Sequence, residues 1–310
     1  MAGFGIRTVV VPGNHDGVHR GHRSLIDLAR REAERLGAET RAMFFSPHPA
    51  HVLAPERAPV ALTTPERRRE LLLAAGADSV AVETFDHAFA QLSPAEFVDR
   101  ILAEKHRARA VVVGPDFKFG KGRAGNLETL RELGARHGIE AIVASPVLET
   151  GERISSSLVR ERLRIGDVTR AAALLGRVHE SEAVVVHGQK LGRTLGFPTA
   201  NLAPVPTLLP KDGIYAVVAR ALNEPGAPLW RGVASLGERP TVTAGRALEV
   251  HLFDVDPDLY GKPLRVGWVR WIRGEEKFAD LESLKRAISS DVVAARQAVS
   301  EIREDQLRWI

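Results

Sequence analysis

Thr8-Val9-Val10-Val11-Pro12-Gly13-Asn14-His15-Asp16-Gly17-Val18-His19-Arg20-Gly21-His22 is the stretch on which the reading of this chain turns. Its first five residues form an apolar run of the kind that makes a buried strand. From residue 23 onward, Leu25, Ala29, Ala33 and Leu36 recur at helical spacing until Gly37 stops the pattern. The residues between are therefore a strand-turn-helix junction. Backbone N–H groups at such a turn, and the positive end of the new helix dipole, point at whatever sits above the strand. An anion fits there, a phosphate above all.

Working outward, residues 41–45, 79–82, 110–113 and 141–143 read as four further short strands. Each is nearly continuous in apolar character, as expected of a sheet covered on both faces. Helical patterns alternate with them. Thr64-Pro65 supplies an N-cap and an N1 proline, Ser93-Pro94-Ala95-Glu96 is a capping box for a helix through Leu102, and Asn126 caps a helix with Leu127, Leu130 and Leu133 on one face. The alternation predicts an α/β fold, a doubly wound parallel sheet whose ligands sit beyond the carboxyl ends of the strands.

Two common phosphate loops are excluded by their own requirements. The junction lacks the Gly-x-Gly-x-x-Gly order, the second strand ends in Ser46-Pro47 rather than an acid, and no Gly-Lys is followed by Ser or Thr. What the turn does carry is His19 and His22, three apart and on one side of the first helical turn, with Gly21 leaving room for a ligand between them. Taken alone, such a pair reads equally as surface or capping residues. His48, His51, His106 and His137 are assigned no function, and the stretch 120–125 reads either as a basic lid on phosphates or as a solvated loop.

The chain has 310 residues and no cysteine, which excludes disulfides, thiolate metal sites and a covalent cysteine mechanism. The 43 Lys plus Arg against 39 Asp plus Glu leave a net charge of only +4, with basic residues scattered among acids, so nucleic acid is not an expected partner. No apolar run reaches the length of a membrane span, and no leader pattern precedes the first strand, so no membrane association and a cytoplasmic location are expected.

Residues 158–175 read as one helix ending at Gly176, and beyond it the periodicity changes. This predicts two domains, 1–180 and 181–310. In the second, residues 184–187, 213–219, 230–235, 248–253 and 264–273 are short β-branched or aromatic segments divided by Gly and Pro turns, the pattern of an antiparallel β-barrel, followed by an amphipathic C-terminal helix over 281–299. The stretch Gly188-Gln189-Lys190-Leu191-Gly192-Arg193-Thr194-Leu195-Gly196-Phe197-Pro198-Thr199-Ala200-Asn201 combines glycines for close approach to phosphates with Thr199 and Asn201 as oxygen ligands for a hard cation. By itself it also passes for a turn-rich surface loop.

Taken as a series, these motifs resemble those of the bacterial bifunctional riboflavin kinase/FAD synthetase (FMN adenylyltransferase) family. The N-terminal resemblance rests on the His19-Arg20-Gly21-His22 signature, Phe45-Ser46-Pro47-His48-Pro49, residues 89–98, Val113-Gly114-Pro115-Asp116-Phe117-Lys118-Phe119-Gly120 and Ile154-Ser155-Ser156-Ser157-Leu158-Val159-Arg160. The C-terminal resemblance rests on residues 188–202, 232–241, Leu248-Glu249-Val250-His251-Leu252-Phe253-Asp254, Asp258-Leu259-Tyr260-Gly261 and Glu276-Lys277-Phe278. It implies phosphorylation of riboflavin by ATP to FMN in the barrel, and a nucleotidylyltransferase domain in which the FMN phosphate attacks the α-phosphorus of ATP to give FAD and pyrophosphate.

The roles implied are catalytic for His19, His22, Arg160 and Glu249, the last as base. Gly13, Asn14, Gly17, Gly21, Ser156, Ser157, Gly188, Gly192, Thr194 and Gly196 are implied at ATP and its phosphates, Asp116, Phe117 and Arg296 at the flavin, and Thr199 and Asn201 at Mg2+ held with ATP. Three positions depart from the family pattern: His15 for an aromatic phenylalanine, Ser157 for threonine and Val242 for phenylalanine. An imidazole at 15 is smaller, polar and able to titrate. The alternatives are a divergent paralogue with one active half or a changed nucleotide or substrate preference, CTP included, and a non-catalytic flavin-binding regulator.

Overall fold

A computed structural model describes residues 6–188, 191–224, 226–238 and 246–307. By backbone contact the chain divides into two compact units, Met1–Val60 with Thr64–Ser155, and Ala61–Thr63 with Ser156–Ile310.

The first unit is built on a parallel sheet of β1 (Thr8–Pro12), β2 (Glu39–Ser46), β3 (Ser79–Thr84), β4 (Ala108–Val113) and β5 (Glu140–Val143), in the order β3-β2-β1-β4-β5. β1 is central and buried along its whole length, which is why its sequence shows no alternation. It pairs with β2 from Thr8↔Glu39 to Pro12↔Met43 and with β4 through Val9↔Ala110 and Val10↔Val111. The strand order reverses between β1 and β4, so the crevice beyond their carboxyl ends is the switch point where ligands of such sheets bind.

The caps foreseen in the sequence are present. Thr64 accepts from Arg67 N–H at the helix Pro65–Ala74, Ser93 and Glu96 form the capping box, and Asn126 accepts from Thr129 N–H at the helix Leu127–Ala135. Beyond the capping box the helix runs through Phe97–Lys105 in π form. Phe97, Val98 and Leu102 there pack with Val111, Val113, Leu130 and Leu133 as the core on one side of the sheet. A two-stranded hairpin, β6 (Leu148–Glu149) with β7 (Glu152–Arg153), follows β5.

The second unit is a closed antiparallel barrel of β8 (His179–Val186), β9 (Ala200–Leu202), β10 (Gly213–Ala221), β11 (Trp230–Glu238), β12 (Arg246–Leu252) and β13 (Pro263–Arg273), in the order β10-β11-β12-β9-β8-β13, with β10 and β13 pairing to close it. The helix Leu281–Ser300 lays Ala295, Ala298 and Val299 on Ala216, Val218 and Val233 of the barrel. Asp280 caps this helix, and Arg273 of β13 fastens it through two 2.8 Å bonds to Asp291.

Two features differ from the sequence reading. β9 lies inside the glycine-rich stretch and is too short to show a period. The single helix expected over 158–175 is two, Ser156–Arg164 and Val168–Leu175. Gly166 at φ +87° ends the first, and the Asp167 carboxylate caps Arg170 N–H of the second, so the Gly-Asp pair acts as stop and start where the apolar period alone runs through. Both helices group by contact with the barrel unit. Gln189, Lys190, Pro225, residues 239–241 of the quoted motifs and Val242 lie outside the described residues. Among the described residues no helix is long and apolar enough to cross a membrane.

Candidate active sites

In the first unit the turn Gly13 to His19 connects β1 to the helix Arg20–Leu36, which starts three residues earlier than its apolar pattern suggests because His19 caps it. His22 N–H donates to His19 Nδ1 at 3.3 Å. A neutral His19 therefore carries its proton on Nε2. The His19 and His22 rings stack with centroids 3.6 Å apart, so the two signature imidazoles form one pair. A Cβ at Gly21 would come within 3.1 Å of the His19 ring, which accounts for the glycine between them.

His15 points inward, only 1 % exposed. Its Nε2–H donates to Val11 O at 2.9 Å, its ring stands edge-on to His22 at 5.0 Å, and its buried Nδ1 has no hydrogen-bond partner among the described residues. Burial lowers its pKa from 6.5 to about 4. At neutral pH His15 is therefore an uncharged buried ring, because no solvent reaches it to stabilise the cation.

Around His15 the turn is tied down by other elements. Ala50 N–H donates to His48 Nδ1 at 3.1 Å, and His48 Nε2 lies 2.9 Å from Asn14 Nδ2, so the ring bridges this turn to the start of the next helix. Arg68, from the helix Pro65–Ala74, donates to Asn14 O at 3.0 Å and to Asp16 Oδ1 at 2.8 Å. Gly17 supplies a left-handed residue at φ +82°.

Beyond β4, Asp116 is exposed and Phe117 half-buried, stacked on Phe119 at 5.5 Å. The β6-β7 hairpin reaches both sides of the crevice: Arg153 pairs with Asp116, and Glu149 pairs with Arg20 at the start of the signature helix. Ser156 and Ser157 open the helix Ser156–Arg164 of the second unit, with the buried Arg160 one turn along it.

In the barrel, Glu249 on β12 stands opposite Asn201 on β9. Thr199 Oγ1 lies 3.3 Å from Glu249 Oε2, and the Asn201 amide donates to Thr199 O at 3.5 Å. The Thr199 hydroxyl, the Asn201 amide and the Glu249 carboxylate are thereby gathered where β9 pairs with β12. Glycines fit the preceding turn by leaving space: a Cβ at Gly188 would sit 2.4 Å from the Asn201 side chain, one at Gly192 would sit 2.4 Å from Phe197 O, and Gly196 adopts φ +89°. Thr194 ends the short helix Leu191–Thr194.

Thr199 is a wall of two cavities. One is lined by the apolar Phe197, Val233, Phe278 and Ile288 together with the charged Glu249, Glu275, Glu276, Asp291 and Arg273, a slot with apolar walls and several carboxylates around it. The other is lined by Arg193, Val185, Asp256 and Tyr260. Arg296 is not among the residues lining either; it makes two 2.7 Å bonds to Asp254, with its guanidinium over Phe253.

Sequence reasoning passed over Arg68 and assigned His48 no function. For Arg68 a signal existed, since it shares a helix face with Leu71 and Leu72, and an arginine on an apolar face calls for a buried partner. His48 stands in the quoted motif Phe45-Ser46-Pro47-His48-Pro49, but its contact with Asn14 lies 34 residues away in sequence.

Family models match as FAD synthetase over residues 5–158 and as riboflavin kinase over residues 175–299. Relatives named bifunctional riboflavin kinase/FMN adenylyltransferase include those of Escherichia coli K12, 39 % identical over 93 % of this chain and 92 % of its own, and of Bacillus subtilis 168, 35 % identical over 96 % and 94 %. The crystal structure of a macrolide-efflux protein from Streptococcus pneumoniae aligns with a TM-score of 0.85 and 30 % identity over 95 % of each chain. What that likeness carries is the shared fold.

Proposed function

The chain belongs to the bifunctional riboflavin kinase/FMN adenylyltransferase family, and on that premise we propose that its barrel unit moves the γ-phosphoryl group of ATP to the 5′-hydroxyl of riboflavin, while its parallel-sheet unit joins FMN to ATP as FAD. It is a transferase of flavin cofactor biosynthesis. The observation that carries the kinase assignment is the position of Thr199 between two cavities. A flat, largely apolar ring suits the slot edged by Glu249, a nucleotide suits the other, and the hydroxyl and the terminal phosphate then meet beside Thr199 and Glu249.

In that arrangement Glu249 accepts the proton of the attacking hydroxyl, and the Thr199 hydroxyl holds the carboxylate in place. Thr199 and Asn201 would hold Mg2+, whose fit rests on their hard oxygen donors beside a carboxylate. Magnesium supplies charge neutralisation on the phosphates. Glycines 188, 192 and 196 keep the turn open to the phosphate chain, and Thr194 lies within it.

In the first unit the nucleophile is a phosphate already charged at neutral pH, so the protein has only to align two anions and neutralise the charge that develops. His19 offers Nε2–H to the α-phosphate, its other nitrogen being used by the helix cap. His22, stacked on it, presents the second ring, with Gly13, Asn14, Gly17 and Gly21 as the backbone around the phosphates. Asp116 and Phe117 form the flavin side. Ser156, Ser157 and Arg160 keep the role in holding pyrophosphate that the family resemblance implies, whereas Arg296, paired with Asp254 and off the lining of both cavities, is given no part in this proposal. Absence of cysteine is compatible with the cytoplasmic location that belongs to this proposal.

The test is incubation of the purified protein with riboflavin, magnesium and either ATP or CTP, with chromatographic separation of products. FMN followed by FAD from ATP is expected. A single product would mark a chain with one working half, a cytidine dinucleotide would mark a changed nucleotide preference, and flavin binding without product from either nucleotide would overturn the enzymatic reading.

A further inference from the structure

The parallel-sheet unit holds a buried guanidinium to which nothing in the adenylylation chemistry so far assigns a part. Arg68 is 5 % exposed, and the carboxylate it meets, that of Asp16, is 2 % exposed. One arm of its fork reaches Asn14 O at 3.0 Å and the other Asp16 Oδ1 at 2.8 Å, while its face lies 5.1 Å from the centre of the Phe44 ring of β2. The two residues it grips flank His15. That stretch of backbone is costly to hold: His15 at φ +49° and Val18 at φ +40° are side-chain-bearing residues in the left-handed region, with Gly17 at φ +82° between them. Such conformations persist only where the surroundings over-determine them.

We propose that Arg68 is a positioning residue for FMN adenylylation, which from the helix Pro65–Ala74 clamps the turn at Asn14 and Asp16 and so fixes where His19 and His22 present their rings. The inference rests on the adenylyltransferase reading of this unit. A planar fork can satisfy a carbonyl and a carboxylate together, whereas a lysine ammonium offers a point charge. Without the clamp the turn relaxes toward ordinary backbone angles, the imidazole pair shifts, and alignment with the α-phosphate is lost. A shift of about 1 Å in such a site costs on the order of 100-fold in rate.

The experiment follows both activities of the full chain in one preparation: FAD from FMN and ATP, and FMN from riboflavin and ATP. Arg68→Met is expected to lower kcat for FAD formation about 100-fold with little change in KM, while riboflavin phosphorylation stays within about twofold of wild type because it occurs in another unit. Arg68→Lys, which keeps the charge without the fork, is expected to recover only part of the loss. Arg68→Met combined with Asp16→Asn also removes the carboxylate that Arg68 contacts; FAD formation is expected to stay low, because the hold on Asn14 O is still missing.

Recovery of FAD formation in the double variant would reduce Arg68 to a counter-charge and overturn the proposal. So would an unchanged kcat in Arg68→Met, or an equal fall of both activities with an earlier unfolding transition. If the wild-type chain itself forms no FAD, the adenylyltransferase reading fails and this inference falls with it; FAD from wild type and from Arg68→Met alike sinks the inference alone.

Discussion

The turn after β1 that carries His19 and His22 is fastened by side-chain hydrogen bonds, whereas the barrel's glycine-rich stretch, Gly188 with Leu191 to Asn201, is fitted mainly by side chains that are missing. In the first, Arg68, His48 and the inward-turned His15 supply hydrogen bonds to Asn14, Asp16 and Val11. In the second, Gly188 lies against Asn201 and Gly192 against Phe197 O, and Arg193 meets Asp256 only in an exposed pair at 3.4 Å. Two turns proposed to approach phosphates by backbone are thus shaped once by polar cross-bracing and once by volume. Substitutions should therefore act through charge and hydrogen bonding at one turn and through sterics at the other.

The largest effect expected within the barrel is that of Glu249→Gln. With Glu249 as the proposed base, its loss lowers riboflavin phosphorylation about 100- to 10,000-fold, while FAD formation from added FMN continues. Steady-state rates with each flavin check this. Gly188→Ala comes next. Its Cβ would displace the Asn201 amide, so kinase activity should fall roughly tenfold or more with adenylylation untouched. If the variant kept full kinase activity, the steric account of this turn would fail.

His15→Phe acts on stability and with a definite pH dependence. The folded-state pKa of His15, about 4, lies below its value of 6.5 when unfolded, so between these values the unfolded chain binds the extra proton. Stability is full above pH 6.5 and is lost as pH falls toward 4. The loss between pH 7 and pH 5 is about 2 kcal/mol for a fully buried imidazole with this shift. Urea titrations of the first unit's transition at both values should show this in wild type. They should show it diminished in His15→Phe, which also removes a buried polar atom without a hydrogen-bond partner. An undiminished acid loss in the variant would assign it to other groups. Smallest is Arg296→Ala: with the guanidinium spent on an exposed pair with Asp254 and off the lining of the slot, riboflavin KM should change by less than about fivefold.

What the sequence disclosed, and what it hid, follows the same contrast. Apolar runs such as Val9-Val10-Val11 and caps such as Thr64, Ser93 and Asn126 are local, so the strands and the starts of the helices could be read directly. The break at Gly166-Asp167 was also written locally, but the apolar period across it is unbroken and masked it. The braces of the first turn were hidden for another reason. Arg68 and His48 meet Asn14 and Asp16 across 34 to 54 residues of chain, and only folding brings them together. His15 was visible as a departure from pattern, yet its neutrality comes from burial that a linear sequence does not display.

The central claim is that two separable chemistries reside in two units of one chain. The most direct measurement is a time course of His22→Ala supplied with riboflavin, ATP and magnesium, with FMN and FAD resolved chromatographically. The account predicts that FMN accumulates at the wild-type rate and that FAD formation falls on the order of 100- to 1,000-fold. Disappearance of both products from a folded His22→Ala protein, or FAD at the wild-type rate, would contradict it.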